Sequence, residues 1–268
     1  MRRPLLAFDI DGTLVPHGGR MSSKMVGALK KLQALNWPMV IATARRRKSA
    51  LMRLEEAAEI FEDGIFNTGA STWEGSQCVR AHTLEPDLLV AALEVLSQWN
   101  ILDFYSLALA DEGLAFSRHL DAEELLEWGV EQKDVLPFSE AVEKDPIRIC
   151  AWKAGADLEP LAESLGQVVP NMNWQVTDGG SCLFGTAKGI GKGKALADYA
   201  VAKGYDSEEV MAFGDDFSDL DMLEWAGKGV AMSSSPPEVK ALADEVIKDQ
   251  SHSGLIEWIE LNLLKGRA

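Results

Sequence analysis

The sequence contains little cysteine, and its few cysteines are poorly spaced for cross-linking or for zinc binding. The chain of 268 residues has three, Cys78, Cys150 and Cys182. They are odd in number, lie far apart and form no CxxC motif or cysteine–histidine pair, which argues against a disulfide framework and a zinc site. We therefore expect reduced thiols, most of them buried.

Positive charge and long hydrophobic runs are also scarce. Lys and Arg total 26 against 42 Asp and Glu, so the formal net charge is −16. This excess argues against nucleic acid as a partner and disfavours anionic membranes, because phosphate groups are bound by clustered cations. No stretch approaches the roughly 18 uncharged apolar residues of a membrane helix, and no signal-peptide pattern is seen. A cytoplasmic location is predicted, whereas the oligomeric state is not readable.

Strands and helices alternate at both ends of the chain. The pattern predicts a strand over 4–9, a helix over 22–36, a strand over 38–43, a helix over 45–59 and a strand over 64–66, and the alternation returns from about 193. This rhythm is typical of a doubly wound, Rossmann-like α/β fold with a parallel sheet. Residues 81–184 mix helices with hairpin-like strands, which predicts an inserted α+β domain in a core domain of residues 1–80 and 185–268.

Two carboxylates end the first predicted strand, in the run Phe8-Asp9-Ile10-Asp11-Gly12-Thr13-Leu14. Side chains at i and i+2 of an extended segment share one side, and open α/β sheets bind ligands at the carboxyl ends of their strands. Two like charges this close need a raised pKa on one of them or a cation between them, and either solution suits chemistry on a phosphate. The alternative is an Asp-Gly turn with solvated acids.

A second group of acids follows a strand near the other end of the chain, in Gly214-Asp215-Asp216-Phe217-Ser218-Asp219-Leu220-Asp221. Two parallel strands can bring these acids and the first pair to one edge of the sheet. Oxygen ligands without His or Cys favour Mg²⁺ over zinc. The alternative for the later acids is that they only complement the dipole of a helix in its first turn.

A lysine and a hydroxyl group are further candidates for contact with an anion. Residues 185–194 are rich in glycine and lysine and precede a predicted helix, where backbone amides and an ammonium can hold a phosphoryl group. The segment is neither a Walker A loop nor a GxGxxG motif, and solvated lysines are the alternative. Thr43 ends the second strand, where its hydroxyl and the amide of Ala44 can donate to phosphate oxygens, or the hydroxyl can cap a helix.

Taken together and in this order, these segments resemble the motifs of phosphatases of the haloacid dehalogenase superfamily. The resemblance implies an aspartyl-phosphate mechanism with Mg²⁺, the main-chain carbonyl of the second aspartate contributing to the metal site. The residues carried over are the nucleophile Asp9, the general acid and base Asp11, the phosphate-binding Thr43, Ala44 and Lys192, and the magnesium site Asp9, Asp11, Asp215 and Asp219.

The resemblance extends to the Cof-like, type IIB branch, whose C2-type cap domain is inserted between the second and third motifs. Ile41-Ala42-Thr43-Ala44-Arg45 is similar to its T-G-R segment and Asn67-Thr68-Gly69-Ala70 to its N-G-A. Gly191-Lys192-Gly193-Lys194-Ala195-Leu196 is similar to its K-G-x-A-L, which selects Lys192 among the neighbouring lysines.

Three positions depart from this branch. Ser218 replaces the usual Asn, Ala44 replaces Gly, and Ser233-Ser234-Ser235 replaces an Asn-Ala pair. The first change affects a residue near the metal, where a short hydroxyl reaches less far than an amide. It also gives a G-D-D-x-[ST]-D form that is similar to trehalose-phosphate phosphatases.

The sequence thus predicts a Mg²⁺-dependent phosphatase that hydrolyses a small phosphorylated metabolite, with a sugar phosphate as the favoured class. A phosphomutase of the same superfamily and a trehalose-phosphate-phosphatase-like enzyme are the alternatives within this chemistry. A binding module without catalysis is a further alternative, which the complete catalytic set disfavours. The sequence identifies neither the physiological substrate nor the cap residues that select it.

Overall fold

The computed structural model describes residues 2–247 and 253–265. In chain order the strands are β1 (Leu5–Phe8), β2 (Met39–Ala42), β3 (Asp63–Phe66), β4 (Ser71–Glu74), β5 (Gln77–Ala81), β6 (Phe104–Ala108), β7 (Leu114–Phe116), β8 (Arg148–Trp152), β9 (Met172–Thr177), β10 (Cys182–Ala187), β11 (Val210–Gly214), β12 (Lys228–Ala231) and β13 (Glu245–Val246). The α-helices are α1 (Ser23–Ala34), α2 (Arg47–Leu54), α3 (Pro86–Gln98), α4 (Ala122–Glu127), α5 (Phe138–Val142), α6 (Glu159–Val168), α7 (Lys192–Ala202), α8 (Leu220–Trp225), α9 (Pro237–Leu242) and α10 (Ser253–Ile259). Short 3₁₀ segments are Glu55–Ile60, Gln132–Asp134, Asp178–Gly180, Ser207–Glu209 and Phe217–Asp219, and a π-helical segment, Glu260–Leu264, follows α10.

The chain folds into two compact units. The core unit comprises Met1–Gln77 and Gly191–Ala268, and the inserted unit, the cap, comprises Cys78–Ile190. The sequence pattern predicted boundaries at 81 and 184. The cap extends further toward the C-terminus, because β10 continues to Ala187, past the predicted boundary at 184.

The core unit is built on a sheet with strand order β13-β12-β11-β1-β2-β3-β4. Pairing is parallel from β13 through β3, and β4 then runs antiparallel to β3. Helices α7, α8 and α9 form one contacting group, while α1 and α10 contact each other in a second. The expected α/β fold with a mostly parallel sheet and a separate cap is therefore confirmed.

The central strand β1 is buried along its whole length, as its uninterrupted apolar sequence requires of a strand covered on both faces. Leu5 and Ala7 face the cluster formed with α7 and α8. On the other face, Phe8 stacks on Phe213 of β11, with ring centroids 4.8 Å apart. This packing fixes the register of β1 against β11, and the carboxyl ends of both strands therefore meet.

The cap unit contains a five-stranded antiparallel sheet of order β7-β6-β8-β10-β9. Alternate residues such as Leu107, Ile149 and Leu183 pack against α3 and α6 in the main cap core. The other face carries a smaller cluster in which Trp128 meets Phe104 and Trp152 edge to face. The four cap tryptophans lie in or against these two clusters.

Several elements escaped the sequence pattern. The hairpin of β4 and β5 was not predicted, although the Gly75-Ser76 turn between two extended runs is a hairpin signal. The predicted helix over 45–59 ends instead at Leu54, because Glu55 adopts a positive φ of 52° and a 3₁₀ segment follows. Helix α5 in the cap was also missed; its five residues are too few to establish a helical period.

Two of the three cysteines are buried, as expected. Cys150 and Cys182 are buried on β8 and β10 with their Sγ atoms 3.5 Å apart, and Cys78 is half-buried. No helix in the described part of the chain has both the length and the apolar composition needed to cross a bilayer.

We predict that Gly193→Ala destabilises the protein, because a Cβ on Gly193 would lie 2.4 Å from the carbonyl oxygen of Asp221, where α7 meets α8. The free energy of unfolding in urea should fall by about 1–3 kcal/mol, the usual cost of overpacking. Gly27→Ala is the matched control. Beyond its own helix, no atom of the described residues lies within 4 Å of a Cβ at Gly27 in α1, so this change should stabilise by about 0.5–1 kcal/mol. Equal effects of the two substitutions would contradict this account.

Candidate active site

The carboxyl ends of β1 and β11 place the two acidic motifs side by side. The amide of Asp9, the residue after β1, donates to the carbonyl of Phe213 at 2.9 Å, so the pairing of the two strands continues past Phe8. Asp215 directly follows β11. The predicted convergence of the motifs at one sheet edge is therefore present in the structure.

Three buried carboxylates form a cluster at this edge. Asp9, Asp215 and Asp219 each offer one oxygen, and these oxygens all lie within 4.8 Å of one another. Burial raises the pKa of Asp9 well above its ordinary value, with Lys192 opposing this rise and the neighbouring acids adding to it. The pKa of Asp215 is also raised, mainly by burial. Such a site is stabilised by cations.

Lys192 supplies one of those cations. It begins α7, its side chain is 1% exposed, and its Nζ donates to Oδ1 of Asp9 and to Oδ1 of Asp219, both at 2.6 Å. Burial opposes the charge of Lys192, but the two carboxylates outweigh it and raise the pKa of the ammonium above its usual range. Lys192 therefore remains charged and holds β1, α7 and the start of α8 together.

Asp215 is held by two residues that the sequence analysis did not identify. The hydroxyl of Thr13 donates to Oδ1 at 2.9 Å, and Nε2 of His17 lies 3.1 Å from Oδ2. The hydrogen bond with Asp215 raises the pKa of His17, whose side chain is 68% exposed. His17 is brought here by the loop that follows the first motif, and no regular spacing predicts its position.

Asp219 shapes the acidic loop from within. It is fully buried, and its Oδ2 accepts the backbone amides of Asp215 at 2.9 Å and Asp216 at 3.0 Å. With Oδ1 bound to Lys192, both oxygens have donors. Ser218, which replaces the Asn of related sequences, is buried in the same 3₁₀ turn.

Asp221 caps α7 rather than joining the cluster. It accepts the backbone amide of Gly193, and burial raises its pKa. The sequence alternative placed this acid in the first turn of its own helix, which is α8; the structure shows that it also accepts an amide at the start of α7.

Asp11 differs from the other predicted site residues, because its carboxylate faces arginines. Nε of Arg45 donates to Oδ2 at 2.5 Å and Nη2 to Oδ1 at 3.0 Å, while Nε of Arg53 donates to Oδ1 at 2.9 Å. Burial raises the pKa of Asp11, but the hydrogen bonds and charges of the two arginines outweigh it and lower the pKa below the ordinary value. The structure does not bring this carboxylate into the cluster of the other three acids, so a contribution to metal binding would come from its main chain.

Thr43 and Ala44 follow β2 at the same edge of the sheet. Thr43 is buried, and its Oγ1 accepts the amide of Arg45 at 3.2 Å, so the hydroxyl takes part in the turn that leads into α2. Ala44 is half-buried. Their predicted contact with phosphate stays a prediction.

A strained turn packs against the start of α7, the helix that carries Lys192. Asn67, Thr68 and Gly69 all adopt positive φ values, of 55°, 58° and 89°. A Cβ at Gly69 would lie 2.2 Å from the carbonyl oxygen of Gly191, which shows how closely this turn approaches the start of α7. Only glycine permits both the conformation and the contact at Gly69.

The comparison with protein families agrees with this geometry. The family model described as haloacid dehalogenase-like hydrolase matches residues 6–259. The chain belongs to this family. All the clustered carboxylates, Lys192 and the arginines around Asp11 lie inside the matched region.

Curated relatives match nearly the whole length of this haloacid dehalogenase-like hydrolase. The pyridoxal phosphate phosphatase of Escherichia coli (strain K12) is 25% identical and covers 98% of this chain and 100% of its own length. The HMP-PP phosphatase of Klebsiella pneumoniae (strain 342) is 27% identical, with 96% coverage of each chain. A 5-amino-6-(5-phospho-D-ribitylamino)uracil phosphatase of Bacillus subtilis (strain 168) is 25% identical and covers 95% of this chain and 94% of its own.

Solved structures show the same fold. A sugar phosphatase of subclass IIB of the superfamily superimposes with a TM-score of 0.81 at 23% identity, covering 96% of this chain and 98% of its own. A protein from Thermotoga maritima gives a TM-score of 0.79 at 22% identity, with 97% coverage of each chain. The recognition of a Cof-like hydrolase and the prediction of a superfamily phosphatase are thereby confirmed; the assignment of roles to single residues stays a prediction.

We predict that Lys192→Met lowers the free energy of unfolding by about 3–5 kcal/mol in the absence of divalent cations, because it leaves buried carboxylates without their ammonium. The loss should grow as the pH rises above about 4. Aspartates whose pKa values are raised in the folded state bind more protons there than in the unfolded chain, so stability falls as they ionise. Urea unfolding between pH 5 and pH 8 measures this slope.

Lys194→Met is the control for this change, since Lys194 is half exposed and pairs with Asp198 within α7. Its effect should stay below about 1 kcal/mol, as for other surface ion pairs. A Lys192→Met variant as stable as wild type at every pH would show that the ion pairs of Lys192 with Asp9 and Asp219 are not needed for stability.

Proposed function

We propose that this hydrolase is a Mg²⁺-dependent phosphatase that cleaves a small phosphorylated metabolite through an aspartyl-phosphate on Asp9. The observation that carries the proposal is the buried cluster of Asp9, Asp215 and Asp219 around Lys192 at the carboxyl edge of the sheet. Asp11 follows at the same edge, where two arginines donate hydrogen bonds to its carboxylate. The proposed nucleophile and the proposed proton-transferring group are therefore two residues apart in the sequence.

Asp9 is suited to attack phosphorus. Lys192 binds its Oδ1, and among the described residues no donor is hydrogen-bonded to Oδ2. The buried position fixes the side chain, and the ammonium opposes the rise in the pKa of Asp9 that burial causes. Oδ2 is therefore the oxygen that we assign to the bond with phosphorus, and the leaving group departs as that bond forms.

The donor set fits a hard divalent cation. Three carboxylates and one ammonium leave two negative charges in a buried volume, and all three acids offer oxygen, the ligand type that Mg²⁺ prefers. Asp9, Asp215 and the main-chain carbonyl of Asp11 would hold the ion. Asp219 is also a predicted ligand, although both of its oxygens already accept hydrogen bonds. When bound, Mg²⁺ would offset the negative charge of the phosphoryl oxygens.

The position of Asp11 near the cluster residue Asp9 in the sequence and its hydrogen bonds with two arginines suit a role in proton transfer. We assign it protonation of the leaving oxygen and then removal of a proton from the water that hydrolyses the acyl-phosphate. The pKa lowered by Arg45 and Arg53 favours the carboxylate, which is the form that the second step needs. For the first step, Asp11 must carry a proton, so one of its arginine contacts has to loosen.

The substrate class is proposed more coarsely from the relatives. Their names describe phosphatases acting on pyridoxal phosphate, on HMP-PP and on a phosphoribitylamino-uracil, all of which are small phosphorylated molecules. Within that class we propose a sugar phosphate, on the resemblance to the Cof-like branch. A cytoplasmic location is proposed with it.

We predict that Asp9→Asn abolishes turnover, because an amide oxygen is a poor nucleophile toward phosphorus. Phosphate release by wild type from a panel of sugar phosphates, nucleotides and cofactor phosphates identifies the preferred substrate, and the variant should lose about 10³-fold or more in kcat on it. Asp206→Asn, a change at an exposed 3₁₀ cap, is the control. Near wild-type turnover by Asp9→Asn would refute the mechanism, and phosphoryl return to the sugar without free phosphate would indicate a mutase.

Removal of divalent cations provides a separate prediction. After complete chelation with EDTA the activity should disappear, since two negative charges in the cluster then repel the phosphate, and added Mg²⁺ should restore it. Mg²⁺ should also raise the melting temperature of the folded protein, because it binds the native cluster only. Activity that survives complete chelation would rule out the metal.

A further inference from the structure

The acid and base Asp11 is held by a second arginine, Arg53, which lies in the last turn of α2. Its guanidinium donates through Nε to Oδ1 of Asp11 at 2.9 Å, through Nη1 to the carbonyl of Gly19 at 2.5 Å and through Nη2 to the carbonyl of Pro16 at 2.7 Å. All three nitrogens of the fork are thus engaged with acceptors from the first motif or the loop that follows it.

We propose that Arg53 is a positioning residue that orients Asp11 for proton transfer. Because Arg53 holds Oδ1 of Asp11, Oδ2 of Asp11 is the oxygen that transfers the proton. The inference rests on the proposed function of Asp11. During the reaction Oδ1 of the carboxylate stays bound to Arg53, and Oδ2 is released.

The loop bound by Arg53 is closed on itself. The amide of Val15 donates to the carbonyl of Ile10 at 2.8 Å, and the amide of Gly12 donates to the carbonyl of Val15 at 2.7 Å. Arg53 secures the far side of this loop through Pro16 and ties it to the carboxylate within it. Because a planar guanidinium presents its donors in a fixed fork, the positions of loop and carboxylate are coupled.

The two arginines on Asp11 differ in exposure to solvent. Arg53 is 19% exposed, whereas Arg45 is 37% exposed and has Nη1 on the hydroxyl of Ser49 at 3.1 Å. Arg45 donates to both oxygens of Asp11, and among the described residues only Arg45 donates to Oδ2. When Arg45 turns toward an anionic substrate, Oδ2 becomes available for a proton while Arg53 still holds Oδ1.

The central test is a double-mutant cycle of Arg53→Met and Asp11→Asn, measured on the substrate that the panel identifies. Arg53→Met alone should lower kcat by about 10- to 100-fold, the range expected for a misplaced catalytic group, and leave KM within a few-fold. In the Asp11→Asn background it should have no further effect, because it acts through that carboxylate. Additive losses in the double variant, or a change in KM alone, would overturn the proposal.

A second measurement does not depend on residual activity of Asp11→Asn. Single-turnover release of the leaving group is compared for p-nitrophenyl phosphate, whose phenolate leaves without a proton, and for glycerol phosphate, whose alkoxide needs one. Arg53→Met should lose at least about 10-fold more rate on glycerol phosphate, as expected for the loss of general acid catalysis. Equal losses on the two substrates would contradict a role through Asp11.

Two further variants separate positioning from folding. Arg20→Gln removes a guanidinium that pairs with Glu55 at the surface, and it should leave kcat and KM unchanged. Arg53→Lys keeps the charge but cannot reach all three acceptors, so it should recover part of the lost kcat. If Asp11→Asn itself turned over at the wild-type rate, the proposed function of Asp11 would fail; a normal Arg53→Met beside an impaired Asp11→Asn would refute only the role of Arg53.

Discussion

The ion pairs of one buried ammonium hold the site together. Lys192 joins Asp9, from the first strand, to Asp219, which lies 27 residues after the lysine, and it does so at 2.6 Å in each direction with almost no contact with solvent. Without this charge the carboxylates would be driven apart or protonated. The approach of β1 to β11, the tight contact of Gly69 with Gly191 and the placement of α7 on α8 all serve to bring the ammonium to this point.

The two aspartates of the first motif have opposite environments although one residue separates them. Asp9 is enclosed by apolar strands and other acids, which raise its pKa, while Asp11 points to Arg45 and Arg53, which lower its pKa. A pair of carboxyl groups whose environments push their pKa values apart is a common basis for separate chemical tasks. Here the division arises because the chain turns after Asp9, so that Asp11 no longer shares the side of Asp9, and because α2 and the residues before it present the two arginines.

Residues at strand ends were predictable from the sequence, and residues whose contacts depend on the closure of a loop were not. The positions of Asp9 and Asp215 follow from two apolar strands that end in acids, and Lys192 follows from a family motif before a helix. His17, Thr13 and Arg53 could not be found in this way, because their contacts depend on how the loop after β1 closes. The direction of the Asp11 side chain was also unpredictable, since two arginines that lie 34 and 42 residues away hold it. Among the core elements, the β4–β5 hairpin was missed because its strands carry polar residues.

The division of the core unit into two segments affects how the chain is made. Synthesis from the N-terminus produces β1 to β4 first, then the whole cap, and only afterwards the segment that begins at Gly191. Until β11 emerges, the central strand β1 has an unpaired edge on the side away from β2, and such edges promote association in incomplete chains. The contiguous cap can fold during this interval. The insertion of β11 beside β1 therefore follows the synthesis of the whole cap, and it brings Asp215 and Asp219 to Asp9, so a nascent chain has no acidic cluster until β11 pairs with β1.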